Sequence, residues 1–280
     1  MGFRLANVAG RAVLIMGNDY YDVERVSNGR LSSDPMAVIG ETAVLHDMYA
    51  NLYMRTPDGT LDSVTLDAPI PRPPKLFAVG LNYRAHAAEA GLDVPSTPMI
   101  FTKFQNCITG PTGDIELRSD TVDWEVELVL VIGKGGRDIA AEDAWDHVAG
   151  LTVGQDVSDR RVQFAVKPPQ FSMGKSFDTY GPIGPAVVSP DLLPNRDDLA
   201  IQCSVSGESK QDSRTSDFIF TVAEQIAYIS AICTLEPGDI IFTGTPEGIG
   251  GPKGIYLQDG DVVVSTIEGV GTMRNRCVKI

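Results

Sequence analysis

The sequence predicts a mixed, mainly β fold, and three observations carry that prediction. Short apolar runs bounded by turn residues recur along the chain: MIFTKF (99–104), WEVELVLVIG (124–133), GLTVGQDV (150–157), IQCSVSG (201–207), GDIIFTG (238–244) and DVVVSTIEG (261–269). Each has the length and composition of a strand. Only one longer segment has convincing helical character, FTVAEQIAYISAIC (220–233), where Thr221 and Glu224 have capping-box spacing and Pro237-Gly238 follow the end. The strands also come in runs instead of alternating with helices, which argues against a doubly wound βαβ fold.

The elements divide into two parts. Residues 1–70 read as short strands and turns, FRLANV, RAVLIMG and YMRTPDGTLDSVTL, the last with a P-D-G turn signal. The stretch DAPIPRPPKL (67–76) holds Pro69, Pro71, Pro73 and Pro74, a density that reads as an extended connection. A small N-terminal domain over 1–70 and a larger one over 71–280 are therefore expected. The larger part opens with a strand running into a turn, KLFAVGLNY. The short helix YRAHAAEAG follows, with Gly91 where a C-terminal cap belongs.

A chain of 280 residues can bury a substantial core. Its formal net charge of −14 argues against nucleic acid and anionic membrane surfaces, both of which select for basic patches. Cys107, Cys203, Cys233 and Cys277 are widely spaced, a pattern that fits neither a structural zinc site nor a disulfide scaffold. MGFRLANVAG lacks the apolar segment of a signal peptide, and no stretch approaches 18 apolar residues. A cytoplasmic protein is the expectation.

Chemistry first suggests itself in TVDWEVELVLVIGKG (121–135), where Glu125 and Glu127 interrupt an apolar run. On a strand they share a face, roughly 7 Å apart, and like charges that close resist burial unless a cation lies between them. Asp156 in GQDVSDRRVQF ends another strand. Three carboxylates from two strands make an all-oxygen site for Mg²⁺ or Mn²⁺. The competing reading is an edge strand with one solvated face and a turn aspartate.

Of the three histidines, His46 reads as structural and His147 as a helix-terminal residue. His86 lies three residues before Glu89, hence on the same helical face. A carboxylate so placed can orient the ring as a general base. Gly174-Lys175-Ser176 mimics the tail of a P-loop, but Pro169 stands where that motif needs glycine. Lys175 is instead a candidate for holding an anion. The glycines of IIFTGTPEGIGG (240–251) suit backbone amides and Thr245 approaching a small anionic ligand.

Taken in order, NYRAHAAEAG, WEVELVLVIG, GQDVSDRRVQF, GKSFDTYGPIGP and GDIIFTGTPEGIG resemble the fumarylacetoacetate hydrolase family over roughly residues 73–280. The resemblance implies a β-rich roll, usually a homodimer, with a smaller N-terminal α+β domain. It implies Glu125, Glu127 and Asp156 as ligands of Mg²⁺ or Mn²⁺. His86, Glu89 and Lys175 match catalytic positions, and Arg160, Gln163 and Thr245 match positions that hold substrate. The implied activity is hydrolysis of a C–C bond in a 2,4-dioxo acid of the acylpyruvate type. Water activated by His86 and Glu89 would attack the distal carbonyl, and a metal-bound enolate would leave. Oxaloacetate decarboxylation or dienedioate isomerisation on the same site is the alternative.

Overall fold

Strand Val126–Ile132 is the axis of the molecule, with all of its residues buried. In the computed structural model, which describes residues 2–280, it pairs antiparallel with Val148–Gln155 on one side and Ile240–Phe242 on the other. A strand flanked on both sides has no solvated edge, so the edge-strand alternative for Glu125 and Glu127 does not hold. Its unbroken run VELVLVI is what burial on both faces requires.

The large sheet runs outward from this axis. On one side Ile240–Phe242 pairs in parallel with Leu76–Gly80, which pairs antiparallel with Met99–Thr102. On the other side the path continues through Val148–Gln155 and Gly181–Val188 to Arg4–Val8, Arg11–Met16 and Asp19–Asp22. The first 70 residues thus extend the same sheet, with Arg4 opposite Val188 and Leu5 opposite Val187. A second, five-stranded sheet orders Glu208–Arg214, Ala200–Val205, Val262–Ile267, Gly271–Lys279 and Ile115–Leu117. Side chains of both sheets, among them Leu128, Val153, Ile201 and Val263, share one core.

The sheets are also joined by a polar residue. Gln155, fully buried, donates from Nε2 to Ser265 Oγ at 2.9 Å, and its Oε1 accepts from Glu125 N at 2.9 Å. That contact fixes the backbone where the first carboxylate stands.

Longer helices are two: the expected one, and Thr42–Ala50 in a segment the sequence reads as strands and turns, which also holds the short helices Val23–Val26 and Pro35–Val38. Val222–Ile232 begins with the Thr221–Glu224 capping box. The short helix Arg84–Glu89 ends at Ala90 and is followed by Gly91 with φ +66°. His46 lies on Thr42–Ala50 with its ring edge-on to Phe3 at 5.0 Å, and His147 closes a 3₁₀ turn with Nδ1 2.8 Å from Lys134 O. Both are remote from the residues singled out for chemistry. All four cysteines are free. Among the described residues, no helix is long and apolar enough to cross a membrane.

Candidate active site and metal centre

Three carboxylates converge on the axis strand. Glu127 stands on it, Glu125 immediately precedes it, and Asp156 follows the neighbouring strand, its N–H bonded to Glu125 O at 2.9 Å. One oxygen from each lies within 4.8 Å of the other two, and all three residues are buried.

The surrounding cations do not treat the three alike. Lys175 Nζ donates to Asp156 Oδ2 at 2.6 Å and Glu125 Oε2 at 2.8 Å. Arg160 donates from Nη2 to Glu125 Oε1 at 2.6 Å, from Nε to Asp123 Oδ2 at 2.8 Å and from Nη1 to Gln163 Oε1 at 2.8 Å. Lys103, fully buried in its side chain, donates to Asp156 Oδ1 at 2.7 Å, to Tyr180 O at 3.0 Å and to Lys175 O. Glu127 has no cation against it and accepts only from Gly244 N, at 2.8 Å.

The protonation preferences follow. Burial pushes the Glu125 carboxyl up, but the charges of Lys175 and Arg160 outweigh it and hold it down at about 2. Glu127 is driven well above its ordinary 4.5, first by burial and then by the charges of Asp156 and Glu125. Burial opposes the charge on Lys175, yet Asp156 and Glu125 raise it above 10.5. Four buried carboxylates (Asp123, Glu125, Glu127 and Asp156) thus face three buried cations (Lys103, Lys175 and Arg160). Fully ionised, the set would carry one negative charge too many, and Glu127, the carboxyl with no cation against it, is the one driven toward its protonated form. An all-oxygen donor set with an uncompensated carboxylate fits a hard divalent cation.

His86 and Glu89 face this cluster across a cavity. His86 Nδ1 is buried without a hydrogen-bond partner, and Glu89 Oε2 lies 3.7 Å away, too far for a hydrogen bond. Glu89 instead accepts from Gly248 N at 3.0 Å, with Lys253 Nζ at 3.9 Å from its other oxygen. The sequence brings the pair to one face of one helix, but the bond between them is not made.

The glycine loop serves a different purpose from the one expected of it. Four of its amides bind the protein's own carboxylates, while Thr245 lines the cavity. Gly244 N–H goes to Glu127, Gly248 N–H to Glu89, and those of Gly250 and Gly251 to Asp123, each of these last two at 2.8 Å. Gly244 has φ +102°, and a Cβ there would come within 2.6 Å of Asn82 Cβ, so only glycine brings this amide to Glu127. Asn82 in turn donates to Thr243 O at 2.7 Å and accepts from Phe220 N at 2.8 Å, tying the turn before the His86 helix to the loop. The Thr245 hydroxyl donates to Val126 O at 2.9 Å and accepts from Gln211 Nε2 at 2.8 Å.

The cavity, about 610 Å³, is lined by Glu125, Glu127, His86, Glu89 and Lys175, with Arg160, Gln163 and Thr245. Asp156 lies beneath Lys175, behind that wall. The residues singled out in the sequence therefore meet in one place. Sequence reasoning missed Lys103, Asp123, Gln155 and Gln211. For Asp123 a signal existed, since DWEVE alternates three carboxylates at 123, 125 and 127. Lys103 carried none, as one lysine at the end of an apolar strand looks solvated.

Comparison with known proteins identifies the family and the fold. The model of the fumarylacetoacetate (FAA) hydrolase C-terminal domain matches residues 75–278. The mitochondrial oxaloacetate tautomerase FAHD2A of Bos taurus is 46% identical over 219 residues, 77% of this chain and 70% of that protein. A crystal structure of a protein provisionally named HpcE from Mycobacterium smegmatis superposes with a TM-score of 0.91 at 43% identity, covering 99% of both chains. Maleylpyruvate hydrolase from Sphingobium sp. SYK-6, in complex with manganese(II) and pyruvate, superposes with a TM-score of 0.83 at 29% identity, covering 99% of both chains. With the family model covering most of its length and the carboxylate cluster at the centre of its sheet, the chain belongs to the fumarylacetoacetate hydrolase family, whose members here are enzymes acting on oxo acids.

Proposed function

We propose that this enzyme moves a proton at C3 of a 2-oxo acid that carries a carbonyl or carboxyl group at C4, interconverting its keto and enol forms. Glu125, Glu127 and Asp156 would hold Mg²⁺ or Mn²⁺, and Glu127 would ionise as the ion enters. When bound, the ion supplies Lewis acidity toward the oxygens of the oxo acid.

The observation that carries the reading is His86. Its Nδ1 is buried without a partner, in the wall of the cavity that also holds Lys175 and the carboxylates. Enolisation needs one base and positive charge near the oxygen where negative charge develops. His86 takes the proton from C3 and delivers it to the enol oxygen, and in the reverse direction carries it from that oxygen back to C3. Lys175 and Arg160 supply the positive charge from the opposite side. The bovine relative named as an oxaloacetate tautomerase supports this chemistry.

Hydrolysis of the C3–C4 bond in an acylpyruvate is the second reading, and one observation favours it. The 3.7 Å separation of His86 and Glu89 leaves both free to engage the same water molecule, and a maleylpyruvate hydrolase shares the fold. His86 then removes a proton from that water instead of from C3. A homodimer is the assembly the family resemblance leads us to propose.

The two readings separate in one experiment. Keto–enol relaxation and pyruvate release are followed in parallel for oxaloacetate and acetylpyruvate, with Mg²⁺, with Mn²⁺ and after chelation. The proposal expects relaxation to accelerate with metal, to return to the buffer rate after chelation, and to slow by about 10²-fold or more in His86→Ala. Pyruvate release from acetylpyruvate without accelerated relaxation selects hydrolysis, whereas pyruvate release from oxaloacetate marks decarboxylation. Neither activity with either metal contradicts both.

A further inference from the structure

Gln211 is the exception on its strand. Glu208–Arg214 forms one edge of the five-stranded sheet, and its side chains are otherwise exposed or half-buried, yet Gln211 is 1% exposed. The strand docks on the glycine loop. A Cβ at Gly248 would run into Lys210 O, so glycine is what lets the loop lie against this edge. A buried amide in such a place has to find partners for both of its ends.

Those partners fix which end of the Gln211 amide is which. Oε1 accepts from Val126 N at 3.0 Å, a group that can only donate, and Nε2 donates to Pro246 O at 2.9 Å, a group that can only accept. The second N–H of Nε2 goes to Thr245 Oγ1 at 2.8 Å. Because that oxygen receives a hydrogen from Gln211, the hydroxyl spends its own on Val126 O, 2.9 Å away. The three bonds close a ring: Val126 N–H to Gln211, Gln211 to Thr245, and Thr245 back to the Val126 carbonyl. Every donor in the ring is committed. Thr245 lines the cavity, whereas Gln211 stands behind it. A hydroxyl oxygen has two lone pairs, and Gln211 takes one. What Thr245 has left for a ligand is a single acceptor.

We infer that Gln211 is a positioning residue that fixes the polarity of Thr245, making this hydroxyl a hydrogen-bond acceptor toward the cavity. The ligand atom that meets Thr245 then carries a hydrogen, as an enol hydroxyl, an N–H or a water does. A bare carboxylate or ketone oxygen finds no donor there, so the anion that the loop's composition suggests is not what this hydroxyl receives. The inference rests on the oxo-acid reading of the site and adds to it the residue that sets which hydrogen bond the ligand makes.

Oxamate and oxalate test it, since they differ in placing an amide NH₂ or a carboxylate oxygen at the same end of a two-carbon acid. Their affinities are measured by calorimetry on the full-length, Mn²⁺-loaded protein in wild type, Thr245→Val, Thr245→Ser and Gln211→Met. The readout is the ratio of the two affinities in each protein. The charge difference between the probes is common to all four proteins and cancels when the ratios are compared. Thr245→Val is expected to shift the ratio toward oxalate by about three- to tenfold, the value of one hydrogen bond, and Thr245→Ser to keep the wild-type ratio. Gln211→Met frees the hydroxyl to turn and donate, so oxalate should gain by at least threefold while oxamate stays within about twofold. A general loss of packing would weaken both probes alike and leave the ratio unmoved. A wild-type ratio in Thr245→Val overturns the inference and leaves the oxo-acid reading standing. A shift in Thr245→Val without one in Gln211→Met overturns the role of Gln211. Binding of neither probe to the wild type removes the oxo-acid reading and this inference with it. If Gln211→Met does not fold, the two Thr245 variants still decide the polarity of the hydroxyl.

Discussion

The floor of the cavity and the wall opposite it are built by different rules. On the floor, Glu125, Asp156, Lys103, Lys175 and Arg160 are buried, and their charges are matched through short contacts of 2.6–2.8 Å. Glu125 and Asp156 stand beside central strands of the largest sheet, Lys103 follows its edge strand Met99–Thr102, and Arg160 and Lys175 come from short helices packed on it. The wall bearing His86 and Glu89 is a helix of six residues, and its two charge contacts are 3.7 and 3.9 Å long. A floor so connected is preorganised before any ligand arrives. The helix is anchored through Glu89 to Gly248 N–H at 3.0 Å and through Arg84 to Phe218 O at 2.8 Å. Its long charge pairs still leave the His86 and Glu89 tips room to shift by tenths of an ångström to meet a substrate, as lids do. The comparison teaches that the ion-binding part and the proton-moving part need not be equally rigid.

Mutations at the two places should therefore fail differently. The largest effect is expected from His86→Ala, which removes the base: turnover falls by about 10²–10⁴-fold, while the melting temperature and metal affinity stay close to wild type. A matching loss of metal affinity would tie the helix to the floor and erase the distinction. Lys103→Met should do the reverse. It leaves Asp156 Oδ1 buried without its ammonium and should cost about 3–5 kcal/mol in denaturant unfolding. A cost below about 1 kcal/mol would mean that the floor does not depend on this pair. Glu89→Gln is expected to be milder, about tenfold in turnover, because Gly248 N–H can still donate to the amide oxygen; unchanged turnover would remove Glu89 from the proton path.

A further effect, on metal affinity instead of turnover, concerns pH. The Glu127 carboxyl is held above its ordinary 4.5 by burial and by Asp156 and Glu125, so it keeps a proton that an entering cation must displace. Metal affinity should consequently fall as pH falls through that raised value, by about tenfold per pH unit when one proton is exchanged. Affinity flat between pH 8 and pH 5 would show that Glu127 is already ionised in the free enzyme.

Much of this was legible in the sequence because it is local. The alternation around Glu125, the three-residue step from His86 to Glu89, the capping box at Thr221 and the apolar strand runs each fit within a few residues. What escaped is created by distance along the chain. Lys103 becomes buried because Asp156 and Tyr180 close over it from 53 and 77 residues away. The junction of Arg4–Val8 with Gly181–Val188 leaves no local trace. The glycine loop misled for a related reason. Its composition shows that amides can approach an anion closely, but only the fold decides that the anions are Glu127, Glu89 and Asp123.

The central claim is that Glu125, Glu127 and Asp156 bind one divalent cation, with Glu127 as the group that ionises on binding. Calorimetric titration of Mn²⁺ into wild type and Glu127→Gln, repeated in buffers of different ionisation enthalpy, tests it most directly. The account predicts one site in the wild type with release of a proton. In Glu127→Gln, with an unchanged circular dichroism spectrum, it predicts affinity weaker by at least 10²-fold and no proton release. Equal affinity in the two proteins would contradict it.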